Sequence, residues 1–424
     1  MMSLLLFGSL FLFILFNIPI AFAIGLSCLL FLVANDLSIA LVAQRATQGI
    51  NSFSFLALPM FVFAGVLMEH GGITQRLMRF ANALIGHVSG GLASVTVVGS
   101  TLFGALSGSA IGDTAAIGSI MIPAMKAKQY SAKFAAALQG CCGILASLIP
   151  PSLTMVILGA TGNISIGGLL IGGLIPGVLM ALALIVISII ISKRNGYGKG
   201  DRASLKELVL SFLDALPPLM LPVIILGGIL GGIVTVTEAA VLAVVYAFIL
   251  SAFVYKEVRI GQIAEIVMQV IRISVPVQLI VAISSLFAWI VTTQRIPQFL
   301  TEFFVNIAPN AWVFLILLNL LLLLLGTFME SNALIIILIP ILMPVVQQYG
   351  IDPIYFGVMF VVNLCIGANT PPLGVTLMTA SRIAEVKFSE ASIAVIPFLL
   401  AMIAVLALTI AFPPLSTFLP SLFH

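Results

Sequence analysis

Long apolar runs, separated by short clusters of charge, organise the chain. Residues 2–35, 46–68, 80–112, 134–192, 215–237, 239–255, 273–294, 303–329, 331–351, 353–381 and 391–424 contain no Asp, Glu, Lys or Arg. Runs such as 315–325 show no alternation, which argues against β-barrel strands and predicts helices. About 20 apolar residues cover about 30 Å of hydrocarbon, so each run holds one crossing, two, or a pair of half-crossings. Lipid offers no partner to free backbone groups, so the crossings must be helices, or broken helices sheltered by protein. The expected fold class is an all-α integral membrane protein. Residues 1–34 lack a basic leader and exceed the about 7–15-residue core of a signal peptide, so they read as a retained first crossing.

Composition sharpens this picture. The 424 residues are 62% hydrophobic and 7% charged, against about 25% charged in soluble domains, so most of the chain must face lipid or other helices. Lys193, Arg194, Lys199, Arg202 and Lys206 crowd the longest polar loop, which predicts a cytoplasmic location for it. Lys126, Lys128 and Lys133, two crossings earlier, and Lys256 and Arg259, two crossings later, fall on the same side. Cys28, Cys141, Cys142 and Cys365 all sit in apolar runs without metal or disulfide spacing, as small hydrophobes do. No basic block suits nucleic acid. The His-Glu-x-x-His, phosphate-loop and Gly-x-Ser-x-Gly signatures are missing, so an enzyme is not expected, and the energy for work must come from an ion gradient or another polypeptide.

The halves repeat. Pro123, Pro150, Pro151 and Pro176 map onto Pro344, Pro371, Pro372 and Pro397 at an offset of 221, and Ile73-x-Gln75-x-Leu77-x-x-Phe80 returns as Ile296-x-Gln298-x-Leu300-x-x-Phe303. In transporters, interruptions at matching positions of two repeats point to the substrate and ion sites. Here each half carries a double proline and, upstream, a polar interruption: Ser107-Gly108-Ser109-Ala110 in the first, Met329-Glu330-Ser331-Asn332 in the second. Proline lacks an N–H and clashes with the carbonyl four residues back, so each Pro-Pro should unwind its helix and leave carbonyls free for a cation such as Na⁺. Gly143, Ser147, Gly367 and Thr370 allow close backbone approach or add hydroxyls. A simple kink is the alternative, as it is for any single proline. Residues 91–122 and 313–343 are too long for one crossing and read as re-entrant hairpins. The small residues of the first also fit helix packing, Gly104-x-x-x-Gly108 being of that type.

Three acids lie near apolar segments, where charge is costly and marks a pathway or a partner. Asp113 and Glu330 flank the hairpin tips. Glu238 is as readily explained as the first-turn acid of a helix capped by Thr237. Arg45 and Asn51 belong to an amphipathic connector over 41–54, Trp289 and Trp312 fit interfacial anchors, and His70 and His87 read as structural.

At these residues the chain resembles, nearly end to end, the large membrane (M) subunit of tripartite ATP-independent periplasmic (TRAP) transporters. The passages are Asn51-Ser52-Phe53-Ser54-Phe55-Leu56-Ala57-Leu58-Pro59-Met60-Phe61-Val62-Phe63-Ala64-Gly65, Leu106-Ser107-Gly108-Ser109-Ala110-Ile111-Gly112-Asp113-Thr114-Ala115-Ala116, Ile149-Pro150-Pro151-Ser152, and Asn363-Leu364-Cys365-Ile366-Gly367-Ala368-Asn369-Thr370-Pro371-Pro372-Leu373-Gly374. The resemblance implies about eleven crossings plus two re-entrant hairpins, in inverted repeats that form an elevator-type transport domain. It implies no cofactor beyond Na⁺ as coupling ion, an organic-anion (carboxylate) substrate, and a multi-pass location in the bacterial inner membrane. Its implied partners are a small four-span membrane subunit and a periplasmic substrate-binding protein, both separate chains. Carried over, sodium site 1 uses Ser107, Gly108, Ser109, Gly143, Ile149 and Pro151, and sodium site 2 uses Gly326, Met329, Glu330, Gly367 and Thr370. Asp113 supports the first tip, and substrate lies near Ser109, Asn332 and Asn369. The implied division is 1–72, scaffold helices and connector; 73–192, first repeat; 193–295, loop and linking scaffold helices; and 296–424, second repeat. Thr235-Val236-Thr237-Glu238 departs from the family's usual Thr-Pro-Thr-Glu, and Asn369 replaces a commonly apolar residue. A carrier that takes substrate without a binding protein is the nearest alternative, and a channel or passive scaffold is the one from another class.

Overall fold

The computed structural model describes residues 2–16, 18–51 and 53–423. Ser52, in the first family passage, lies outside the described residues, as do Met1, Asn17 and His424. Among the described residues everything regular is helical, and one isolated antiparallel bridge pairs Ser89 with Lys199.

The first apolar run departs from the expected single crossing. It forms two helices, Met2–Leu15 and Ile20–Ala34, packed on each other. Pro19 stands immediately before the second helix, where a missing N–H and a fixed φ are tolerated. The amphipathic connector is the helix Ala40–Ile50, without a buried residue of its own, lying on the long helix Ile263–Thr293. Its Arg45 guanidinium sits 5.1 Å from the Trp289 ring centroid, a cation–π contact that ties the connector to that helix.

Five helices are long and apolar enough to cross a membrane, or up to eight if each sharply bent pair counts as one crossing, among the described residues. The bends have local causes. Ala57–His70 turns by 72° into Ile73–Ile85 at Gly72, whose φ of +66° costs glycine little. Ile296–Ile307 turns by 113° into Ala311–Gly326, where Asn310 caps the new helix through the Val313 N–H at 3.0 Å.

Each half then repeats one plan. In the first half the hairpin arms are Gly91–Ser107 and Ala110–Ala127, and the helix Ala132–Gly143 runs through a short 3₁₀ turn to a gap before resuming as Leu153–Gly162. In the second half the arms are Ala311–Gly326 and Ser331–Gln348, and Pro353–Gly367 resumes as Val375–Ala384. Both of these double prolines, Pro150-Pro151 and Pro371-Pro372, interrupt their helices, whereas Pro217-Pro218 is carried inside the continuous helix Leu205–Leu230, so a missing N–H permits the break without dictating it. The halves interlock: Leu153–Gly162 packs on Ser331–Gln348, and Val375–Ala384 packs on Ala110–Ala127. The first limbs of the broken helices meet where the Cys365 thiol approaches the Ile144 carbonyl at 3.8 Å, and these two residues are themselves 221 apart. These limbs form the driest part of the molecule, whereas Leu182, Val186 and Leu213 on outer helices are about half exposed, as lipid-facing side chains would be. Two of the three basic clusters lie together, since Lys128, Lys199 and Arg202 line one cavity.

Candidate functional site

Each hairpin tip is a helix end meeting a helix beginning. Gly108 terminates the first arm in the left-handed region at φ +61°, and Ser109 then caps the second arm by accepting the Gly112 N–H at 3.2 Å. In the second half the matching cap is Glu330, whose carboxylate accepts the Ala333 N–H at 3.3 Å and the Asn332 side-chain amide at 2.7 Å. The repeat offset maps Ser109 onto Glu330 and Gly112 onto Ala333. A hydroxyl cap and a carboxyl cap thus occupy the same backbone position.

Both tips are fastened to the breaks behind them. The Gly108 carbonyl accepts the Leu153 N–H at 3.3 Å, and the Thr327 carbonyl accepts the Leu373 N–H at 3.2 Å. A Cβ at Gly108 would collide with the Pro151 carbonyl. Lower down, the arms cross the broken helices at contact distance: a Cβ at Gly104 would lie 2.9 Å from the Ala146 Cα, and one at Gly367 would lie 2.7 Å from the Gly326 Cα. Gly143 is pressed on Ala110 and Thr114 of the second arm, and Gly65 of Ala57–His70 meets the backbone of Ser107. Gly65, quoted above only as part of a passage, is therefore a neighbour of the first tip.

The breaks differ from expectation in one respect. Carbonyls of the last helical turn were expected to stay unpaired. Instead, Ser147 O, whose helical donor would have been Pro151, accepts the Ser152 hydroxyl at 2.6 Å. Ala368 O, whose donor would have been Pro372, accepts the Thr376 hydroxyl at 3.0 Å and the Thr376 N–H at 3.3 Å. Gly367 O accepts the Thr370 N–H at 2.9 Å. Buried carbonyls need partners, and hydroxyls from across the gap supply them to Ser147 O and Ala368 O.

The polar residues singled out from sequence fall into distinct settings. Asp113 is fully buried; neither carboxylate oxygen has a hydrogen-bond partner, and the Ser100 hydroxyl adjoins it. The Gln139 amide reaches the Asp113 backbone carbonyl at 3.5 Å. Gly326, Met329 and Glu330 line a cavity of about 40 Å³ with Ile111 of the first hairpin, with Ala368 at the end of the first limb, and with Leu373 and Thr376 beyond the double proline. That volume suits an ion or a water molecule and is far too small for an organic anion. Thr370 lies outside this cavity, its hydroxyl donating to Ile366 O at 2.7 Å. Asn369 is fully buried behind the tip, its side-chain oxygen accepting from Thr376 at 2.8 Å. Ile149 is buried, its side chain lying against Gly177. Glu238 is settled as structural: it forms a capping box with Thr235, so the cap is Thr235 and not Thr237.

The family pattern described as the DctM component of the tripartite ATP-independent periplasmic transporter matches residues 7–415. The chain belongs to the DctM family of TRAP transporters. It is 41% identical over 408 residues to the sialic acid TRAP transporter large permease protein SiaM of Vibrio cholerae, covering 96% of each chain. It is 37% identical to the C4-dicarboxylate TRAP transporter large permease protein DctM of Rhodobacter capsulatus, covering 100% of this chain and 99% of that one. The isethionate TRAP transporter permease protein DctMQ of Oleidesulfovibrio alaskensis is 40% identical, with 97% of this chain matching 65% of that protein. Among solved structures, the YdaH transporter of Alcanivorax borkumensis shares the fold at a TM-score of 0.61 and 15% identity, with 86% of each chain covered. The chain is a large TRAP permease, a multi-pass membrane protein of all-helical transporter fold.

Proposed function

We propose that this DctM-family chain is the permease of a sodium-coupled importer of an organic anion, supplied by a periplasmic binding protein and assembled with a small four-span subunit in the bacterial inner membrane. One observation carries the reading. At each tip and break, two helix C-terminal ends (the first arm and the first limb) meet two helix N-terminal ends (the second arm and the resumed helix). The C-terminal ends favour a cation and the N-terminal ends favour an anion, so a matched pair of such junctions suits Na⁺ and an anionic cargo together. The cargoes named for relatives, sialic acid, C4-dicarboxylates and isethionate, are anions.

Sodium site 1 then comprises Ser107, Gly108, Ser109 and Gly143 with the backbone from Ile149 to Pro151, and Asp113 stands behind the tip. Sodium site 2 comprises Gly326, Met329 and Glu330 with Gly367 and Thr370. Substrate lies between the tips near Ser109 and Asn332, and Asn369 shapes that site through Thr376. The two repeats, residues 73–192 and 296–424, are inverted and move as an elevator against a scaffold of residues 1–72 and 193–295, with about eleven crossings in all.

Uptake into proteoliposomes tests this directly. Uptake requiring both an inward Na⁺ gradient and the cognate loaded binding protein is expected. Uptake at the full rate without the binding protein would favour a self-sufficient carrier, and absence of counterflow exchange would indicate a pore.

A further inference from the structure

Of the carbonyls freed by Pro150-Pro151 and Pro371-Pro372, those that would have paired with the second proline are matched between the halves: the offset of 221 maps Ser147 onto Ala368. Each is closed by a hydroxyl from beyond its break, but the hydroxyls are not matched. Ser152 follows its double proline directly and donates at 2.6 Å, while Thr376 lies in the first turn of the resumed helix and donates at 3.0 Å. Two different sequence positions thus serve the equivalent backbone carbonyl of each half. A repeat inherited unchanged would place the two hydroxyls at the same position, so the shared feature is the closure itself. Both hydroxyls are buried, Ser152 fully. Each is also tied to its surroundings: Ser152 caps Leu153–Gly162 through the Met155 N–H at 3.2 Å, and Thr376 holds the Asn369 side-chain oxygen at 2.8 Å.

We infer that Ser152 and Thr376 are positioning residues that hold the two breaks in cation-ready geometry, each acting on the sodium site of its own half. This rests on the sodium-coupled reading above. The closed carbonyl is withdrawn as a ligand and becomes a strut between the two limbs. The remaining polar groups of the gap keep their spacing whether or not an ion is present, so ion binding carries no cost of ordering the gap. Without the hydroxyl the buried carbonyl loses its partner, the limbs relax, and the ion must organise them.

The test is the sodium dependence of initial uptake in proteoliposomes with saturating loaded binding protein. Thr376→Val keeps shape and loses the hydroxyl; its half-saturating Na⁺ concentration should rise roughly three- to tenfold, with the maximal rate at saturating Na⁺ within about twofold of wild type. Thr376→Ser restores the donor and should return the wild-type value. Ser152→Ala should shift the same parameter in the same direction. A merely structural role predicts the opposite pattern, a lower maximal rate and lower melting temperature at unchanged half-saturation, and that result overturns the inference. Should Ser152→Ala fail to insert, the Thr376→Val and Thr376→Ser pair decides alone. Wild-type uptake indifferent to Na⁺ overturns the sodium reading itself; sodium-dependent wild-type uptake with unshifted variants overturns only the positioning roles.

Discussion

The two halves share a backbone plan and differ in where they keep their acid. In the first, the cap is Ser109, and the carboxylate of Asp113 lies one turn further along, fully buried and without a hydrogen-bond partner. In the second, the acid is the cap itself, Glu330, held by the Asn332 amide. The surrounding packing follows suit. The arms of the first hairpin lie against each other, whereas Ser331–Gln348 packs mainly on Leu153–Gly162, Ile263–Thr293 and Ile296–Ile307. The first arm of the second hairpin is instead stapled to Pro353–Gly367, because the Asn363 amide donates to the Asn319 side chain at 2.8 Å and to its carbonyl at 3.0 Å. Phe328 at the second tip is 60% exposed, while Gly108 at the first is buried. A duplicated scaffold has thus diverged into a closed, packed junction and a more open one with its charge at the tip.

Substitutions can break this comparison, and the first junction should break hardest. Gly108→Val puts a branched side chain at φ +61° and against the Pro151 carbonyl, so uptake should fall by roughly a hundredfold or more while the protein still inserts. In the second half, Gly367→Ala pushes a methyl into the Gly326 backbone and should cut uptake roughly tenfold, at about 1–3 kcal/mol of overpacking. Its counterpart Ala146→Gly, which relieves the first crossing, should cost less. The asparagine staple is expected to show coupling: Asn319→Leu or Asn363→Leu alone should destabilise by about 1–3 kcal/mol through the orphaned partner, and the double variant by less than their sum. Denaturation of the purified permease in detergent measures that cycle. Smallest of all, Thr235→Ala removes the cap beside Glu238 and should lower the melting temperature slightly, leaving the sodium dependence of uptake unchanged.

Helix class was legible from the long apolar runs, the first tip from Gly108 with its positive φ, and the two breaks from double prolines at matching places in the repeat. The caps at Ser109 and Glu330 were half legible: both residues were marked for chemistry, yet their equivalence appears only when the Gly112 and Ala333 N–H groups are seen bonded to them. The break at Pro19 was missed because an apolar run carries no signal of where it folds back on itself. The closure of Ser147 O and Ala368 O was not foreseen: Thr376 donates from eight residues beyond Ala368, too far for local sequence logic. The setting of Asn369, buried with its side-chain oxygen accepting from Thr376, was not legible, because it depends on how Val375–Ala384 packs on Ala132–Gly143.

The claim on which the rest depends is that two junctions of like geometry each take one cation. Initial uptake measured against Na⁺ concentration, at saturating loaded binding protein, addresses it most directly. A sigmoidal rise, which becomes hyperbolic when Glu330→Gln weakens one junction, is the expected result. A hyperbolic rise in the wild type, or uptake unchanged when Na⁺ is replaced by choline, would contradict it.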